Sequence, residues 1–182
     1  MKQKKIKAIF FDFDLTLVNS KPGAKATYRA LSKMTKQKIS KKGFQDFVGS
    51  KFSEMIDNFH RKSEVSKKDL IEKFREVYDA KIPKMKFYGR NLLPRLKELN
   101  DYTIIILTNN DKESVKKVCK FFDVKYDLLI ADQDMKKDER KHDAILKILK
   151  KLKLKKTEAV YIGDRVNDVI EAHKAAIKAV VG

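Results

Sequence analysis

Five short runs in this chain are apolar almost without interruption: Ile6–Phe11, Thr103–Leu107, Tyr126–Ile130, Ala159–Ile162 and Ile177–Val181. They are rich in Ile, Val, Phe and Tyr. Near-continuous apolarity over four to six residues is what a strand covered on both faces requires. Segments with helical spacing separate the later runs. Asp111–Phe122 places Val115, Val118, Cys119 and Phe122 on one face, and Lys141–Leu152 does the same with Ile145, Ile148, Leu149 and Leu152. Asn167–Ala176 is a third such segment, with a less tidy apolar face. Strands alternating with helices predict right-handed βαβ units and a mainly parallel open sheet flanked by helices, an α/β fold.

The second strand of the series arrives only at Thr103, long after the first ends at Phe11. Between them, Asn19–Lys86 shows no strand pattern and reads as amphipathic helices at Gly23–Met34, Lys42–Val48, Phe52–Arg61 and Lys67–Tyr78. Ser66 is the predicted N-cap of the last. Leu92–Leu99, with Pro94 in its first turn, leads back to the sheet. The expected division is therefore an α/β core of residues 1–18 and 87–182, with an all-helical insertion at 19–86. Tyr28, Phe44, Phe47, Phe52 and Phe59 read as the insertion's core, one or two of them lining a pocket.

The formal charge is +18, with 37% of residues charged and 42% hydrophobic. That charge is mostly lysine, scattered along the chain and denser in the insertion. Arginines and aromatics do not interleave as a base-stacking platform demands, so nucleic acid is not the expected partner. The positive field favours a small anionic substrate. No apolar run is long enough to cross a bilayer, and the apolar stretch after the basic start is too short for a secretory signal. A cytoplasmic protein is expected. The single cysteine, Cys119, excludes an internal disulfide and reads as a small core residue.

In an open parallel sheet, ligands bind beyond the carboxyl ends of the strands, where strand order reverses. Polar groups stand at three such ends. Ile6–Phe11 runs into Asp12 and Asp14, Thr103–Leu107 into Thr108-Asn109-Asn110, and Ala159–Ile162 into Gly163-Asp164, with Asp168 following. Residues two apart in extended chain project to one side, so Asp12 and Asp14 can face one pocket. Carboxylates suit a hard divalent cation such as magnesium, for which Asp12 and Asp164 are the obvious pair. With phosphate charge shielded, one carboxylate can attack phosphorus and a second can move the proton.

These motifs resemble those of the haloacid dehalogenase superfamily, in its phosphatase branch with a helical cap after the first motif, a group that includes phosphoglycolate phosphatases. Asp12, Asp14 and Thr16 in FFDFDLTLVNS match the first motif, Thr108 in IIILTNN the second, and Gly163, Asp164 and Asp168 in YIGDRVND the fourth. The third is a lysine opening the helix before the last motif. Lys141 fits it, with Lys136 and Lys137 nearby. Leu15 departs from the pattern, since many relatives carry glycine there.

The resemblance implies a Rossmann-like core and a Mg2+-dependent phosphatase acting on a small phosphate monoester. By it, Asp12 becomes an aspartyl-phosphate, and Asp14 serves as general acid and base while its carbonyl joins the metal. Thr108 and the amide of Asn109 bind the phosphoryl group, and Lys141 neutralises charge. Asp164 ligates the metal, and Asp168 acts from one layer further out. Gly163 implies close backbone approach or an unusual φ. Gly49-Ser50-Lys51 stands where relatives carry a substrate-sensing loop, though a plain Gly-Ser turn is the other reading. A sugar phosphomutase, a phosphonate hydrolase with a Schiff-base lysine, and a silent basic nucleic-acid-binding protein are the alternatives. Sequence leaves the oligomeric state open.

Overall fold

The computed structural model of the protein describes residues 5–98 and 102–181. In chain order its elements are β1 (Ala8–Phe11), β2 (Val18–Asn19), α1 (Lys21–Met34), α2 (Lys41–Gly49), α3 (Phe52–Arg61), α4 (Lys67–Asp79), β3 (Lys86–Phe87), α5 (Leu92–Glu98), β4 (Thr103–Leu107), α6 (Lys112–Phe121), β5 (Leu128–Ile130), α7 (Lys141–Lys151), β6 (Ala159–Gly163), α8 (Val166–Lys174) and β7 (Lys178–Val181).

Each of the five apolar runs contains a strand. They form one parallel sheet in the order β5-β4-β1-β6-β7. Strand order reverses at β1, which has β4 on one side and β6 on the other. The crevice expected at a reversal point therefore opens at the carboxyl end of β1, beside Asp12.

The near-continuous apolarity has the expected cause. Ile9 and Phe11 of β1 join Ile104 and Ile106 of β4 in a cluster with Val115, Val118 and Cys119 of α6. Ala8 and Phe10 point the other way, with Ile105, Leu107 and Tyr161, into a cluster closed by α7 and α8. Cys119 is buried in the first layer, and burial pushes its thiol up to about 12, out of the reactive range.

The first of these clusters does not stop at the sheet. It continues through Tyr28 and Leu31 of α1, Phe52, Met55 and Phe59 of α3, and Leu70, Phe74 and Tyr78 of α4. Helices α1, α3 and α4 thus share one buried cluster with a sheet face, and α2 packs its half-buried Phe44 and Phe47 against it. The Ser66 cap forms as expected, its hydroxyl accepting from the Asp69 amide at 3.1 Å.

The segment read as strand-free differs at its two ends. Val18 and Asn19 pair antiparallel with Phe87 and Lys86, so β2 and β3 make a two-residue ribbon where the chain leaves for α1 and returns from α4. A pairing that short has no periodicity to read. The predicted helix end at Leu99 and the terminal Gly182 lie outside the described residues. No helix among the described residues is long and apolar enough to cross a membrane.

Candidate active site

Asp12 follows β1 directly. Its backbone amide donates to the Ile162 carbonyl at 2.8 Å, which continues the β1–β6 pairing by one step and fixes the carboxylate at the sheet's rim. The residue is only 7% exposed. Its Oδ1 accepts from Lys141 Nζ at 2.7 Å. Burial pushes the Asp12 carboxyl up to about 7, aided by Asp168 and Asp14 and opposed by Lys141.

Lys141 is the first residue of α7, and its stem is buried against the core. Besides Asp12, its amine donates to Asp168 Oδ1 at 2.9 Å and to the Tyr161 hydroxyl at 2.8 Å. Burial pulls its pKa down, but the facing carboxylates outweigh that and hold it well above the ordinary lysine value. Lys136 and Lys137 do not take this place. Both are exposed, and their carbonyls accept from Lys51 Nζ.

Asp168 lies at the N3 position of α8. Its Oδ2 accepts from the Arg165 amide at 3.2 Å, and its Oδ1 takes Tyr161 at 3.2 Å as well as Lys141. Gly163 makes this fit possible. A Cβ there would lie 2.5–2.6 Å from the Asp168 carboxyl group and Cβ. No glycine in the described chain has positive φ, so close approach, not unusual backbone, is what Gly163 supplies.

Asp164, at the end of β6, is half-buried, and burial raises its carboxyl. Its Oδ1 is buried with no hydrogen-bond partner. Oxygens of Asp12, Asp164 and Asp168 lie within 4.8 Å of one another. Three carboxylates, one of them with an unpartnered buried oxygen, suit a small divalent cation such as Mg2+.

Asp14 faces a different environment. Its carboxylate is not in that cluster. It accepts from Asn110 Nδ2 at 3.1 Å on both oxygens, from the Tyr78 hydroxyl at 3.4 Å, and from the Thr108 hydroxyl at 3.5 Å. All these donors are neutral. Tyr78 comes from α4 and is itself bonded by Asn110 at 3.1 Å, so one side chain from the helices reaches the acid directly.

The turn after Asp14 is tight. Leu15 sits at φ 66°, and the Leu17 and Val18 amides both donate to the Phe13 carbonyl at 3.0 Å. Left-handed backbone favours glycine, which is why the position that departs from the resembled pattern is strained here. The Thr16 hydroxyl is buried without a partner.

Thr108 ends β4 and is buried, its hydroxyl accepting from the Asn110 amide at 3.1 Å. The Asn109 carbonyl accepts from the Phe52 amide at 2.8 Å, tying the rim to α3. Further contacts bind α3 and α4 to the sheet side. Ser53 N donates to Asp132 at 2.7 Å, and Arg75 forms a two-pronged pair with the buried Asp111 at 2.8 and 3.0 Å. Lys51, 2% exposed, gives its amine to the carbonyls of Lys136, Lys137 and Glu139, 3.3 Å from Asp132.

A cavity of about 70 Å³ lies beside Asp14, with Phe47, Phe52, Phe74 and Tyr78 in its wall. Two of the aromatics read as insertion core thus line a pocket. Sequence reading missed Tyr78, Asn110 and Tyr161. Tyr78 follows Phe74 by one helical turn and reads as apolar face, and Tyr161 lies in an apolar strand. Asn110 reads as a turn residue.

Residues 9–181 match the haloacid dehalogenase-like hydrolase family. Over 180 residues, 97% of this chain and 81% of the relative, the protein is 27% identical to a Caldanaerobacter subterraneus protein provisionally named pyrophosphatase PpaX. It is 26% identical to a protein named phosphoglycolate phosphatase from Vibrio parahaemolyticus, covering 96% of this chain and 82% of that one. Among solved structures, a hydrolase from Pseudomonas syringae superposes with a TM-score of 0.77 at 18% identity, over 96% of this chain and 84% of that one, which supports the fold.

Proposed function

Since the chain belongs to the haloacid dehalogenase-like hydrolases, we propose that it is a Mg2+-dependent phosphatase that hydrolyses a small phosphate monoester through an aspartyl-phosphate on Asp12. The observation that carries this reading is the division of labour between two carboxylates of one turn. Asp12 meets a buried ammonium at 2.7 Å, whereas Asp14 is held by neutral donors in the wall of a cavity.

An Asp12 oxygen attacks phosphorus, and the bond from phosphorus to the ester oxygen breaks. Asp14 gives its proton to that leaving oxygen. In the second half, the Asp14 carboxylate takes a proton from water as the water oxygen attacks phosphorus and the bond to Asp12 breaks. Inorganic phosphate leaves, and both carboxyl groups return to their starting states. Lys141 keeps a positive charge against Asp12 throughout, and the Thr108 hydroxyl with the Asn109 amide holds the phosphoryl oxygens.

When bound, Mg2+ would be held by Asp12, Asp164 and the Asp14 carbonyl and would shield the charge of the phosphate. Asp168 fits an outer role, because its two oxygens already accept from Lys141, Tyr161 and Arg165. Helices α1–α4, within residues 19–86, act in this reading as a cap closing over a core made of residues 1–18 and 87–182. The reading takes the setting to be cytoplasmic. It disfavours a phosphonate hydrolase, since among the described residues no lysine lines the cavity beside Asp14.

The test is phosphate release from a panel of small esters with and without Mg2+, comparing the wild type with Asp12→Asn. Release that requires Mg2+ and disappears in the variant is expected. Unchanged turnover in Asp12→Asn would overturn the mechanism.

A further inference from the structure

Resting on that reading, we propose that the site selects esters whose leaving alcohol is small and uncharged, and discriminates against a second anionic group such as a carboxylate or another phosphate. The leaving oxygen must lie within reach of Asp14, so the leaving group occupies the cavity whose wall Asp14 forms. That cavity measures about 70 Å³, against about 340 Å³ for the hollow beside it. Phe47, Val48, Phe52, Met55 and Phe74 make up its apolar wall. Its polar atoms belong to neutral side chains, apart from Asp14 itself. Among the described residues, no lysine, arginine or histidine lines it.

Two neighbouring basic side chains, Lys51 and Lys141, are committed elsewhere. Lys51 follows Ser50, which lines the cavity, yet its amine is spent on three carbonyls and Asp132. Lys141 is enclosed by Asp12, Asp168 and Tyr161. Lys21 and Arg165 line a second hollow that shares Ser20, Ala24 and Val48 with the first but does not include Asp14. An anion entering the first cavity would lose its water and meet a carboxylate, without a cation to offset either. An aliphatic group of similar size would bury against five apolar side chains.

This departs from what the names of the relatives would lead one to assay. Glycolate and phosphate are both anionic leaving groups. The overall positive charge does not change the inference, because it resides on solvated side chains that draw phosphate esters to the surface without selecting among them.

The experiment compares isobutyl phosphate with phosphoglycolate, whose leaving groups have the same number and branching of non-hydrogen atoms and differ in charge. Inorganic pyrophosphate is the third arm. Acetyl phosphate, an activated compound that needs little help from Asp14, reports whether Asp12 accepts a phosphoryl group at all. We expect acetyl phosphate turnover, with kcat/KM for isobutyl phosphate at least about 10-fold above both anionic substrates. Val48→Lys, at a half-buried wall position, should shift the ratio toward phosphoglycolate by about 10-fold or more, whereas Val48→Met should not.

Acetyl phosphate turnover with equal or faster turnover of phosphoglycolate or pyrophosphate overturns the selectivity and leaves the phosphatase reading standing. If that preference for anions then vanishes in Arg165→Ala, the second hollow holds the leaving group and the assignment of the cavity is wrong. No Asp12-dependent turnover of any compound removes the phosphatase reading and this inference with it.

Discussion

Asp12 and Asp14 are two residues apart, yet they stand in opposite kinds of surroundings. Around Asp12 are a buried ammonium, two further carboxylates and a phenol, all delivered by β6, α7 and α8. Around Asp14 are a carboxamide and two hydroxyls, one of them brought by α4. The difference teaches how one short turn can supply two chemistries. Asp12, the proposed nucleophile, stands 2.7 Å from a buried ammonium that opposes the upward push of burial on its carboxyl. Asp14, the proposed acid and base, is held by neutral donors only, one of them from α4.

The comparison breaks first at Asp14. Asp14→Asn should lower kcat/KM for alkyl phosphates by about 10²- to 10⁴-fold, and far less for acetyl phosphate, whose leaving group needs little protonation. Tyr78→Phe should show the same pattern at smaller scale, of about 10-fold, because it loosens the acid without removing it. Equal losses on both substrate types would mean that Asp14 serves the phosphoryl group and not the leaving oxygen.

On the Asp12 side, Lys141→Met conserves bulk but leaves buried carboxylates without their cation, a defect that costs about 3–5 kcal/mol where it cannot be relieved. Relief depends on pH. The folded Asp12 carboxyl already stands near 7, above its ordinary value of 3.8. Its contribution to stability is therefore fully present below about pH 4 and is lost as pH rises through 7. Denaturant titration of the metal-free variant should show a loss that is small at pH 5 and larger at pH 8. A pH-independent loss would mean that packing, not charge, is what Lys141 supplies.

The smallest effect belongs to the turn between the two environments. Leu15→Gly removes a half-buried side chain but relieves left-handed backbone strain worth about 1–2 kcal/mol. The net change in unfolding free energy should stay below about 1 kcal/mol. A loss of several kcal/mol would show that the Leu15 side chain, not the turn, holds this segment.

How much of this could be read beforehand follows from where each residue's partners lie. The sheet was legible because burial on both faces leaves continuous apolar runs, and Asp12, Asp14 and Asp164 because each lies within three residues of a run's end. The family resemblance carried the roles across to Thr108 and Lys141. What a linear pattern cannot carry is a tertiary partner. Nothing near Tyr78 distinguishes a core tyrosine from one whose hydroxyl reaches an acid 64 residues earlier in the chain. Lys51 reads as one more surface lysine because its burial depends on carbonyls 85 to 88 residues away. Lys141 was legible because the apolar spacing of Lys141–Leu152 puts it at the start of α7, but its contact with Asp12, 129 residues earlier, was not. The β2–β3 ribbon was invisible because two residues make no period.

The most direct test of the division between the two aspartates is to trap the covalent enzyme. The protein would be mixed with acetyl phosphate and Mg2+, quenched in acid and reduced with borohydride, which converts an acyl phosphate on aspartate to homoserine, and then mapped by peptide mass spectrometry. The expected result is homoserine at position 12 with Asp14 unmodified. Homoserine at position 14, or at neither position while turnover proceeds, would contradict the assignment.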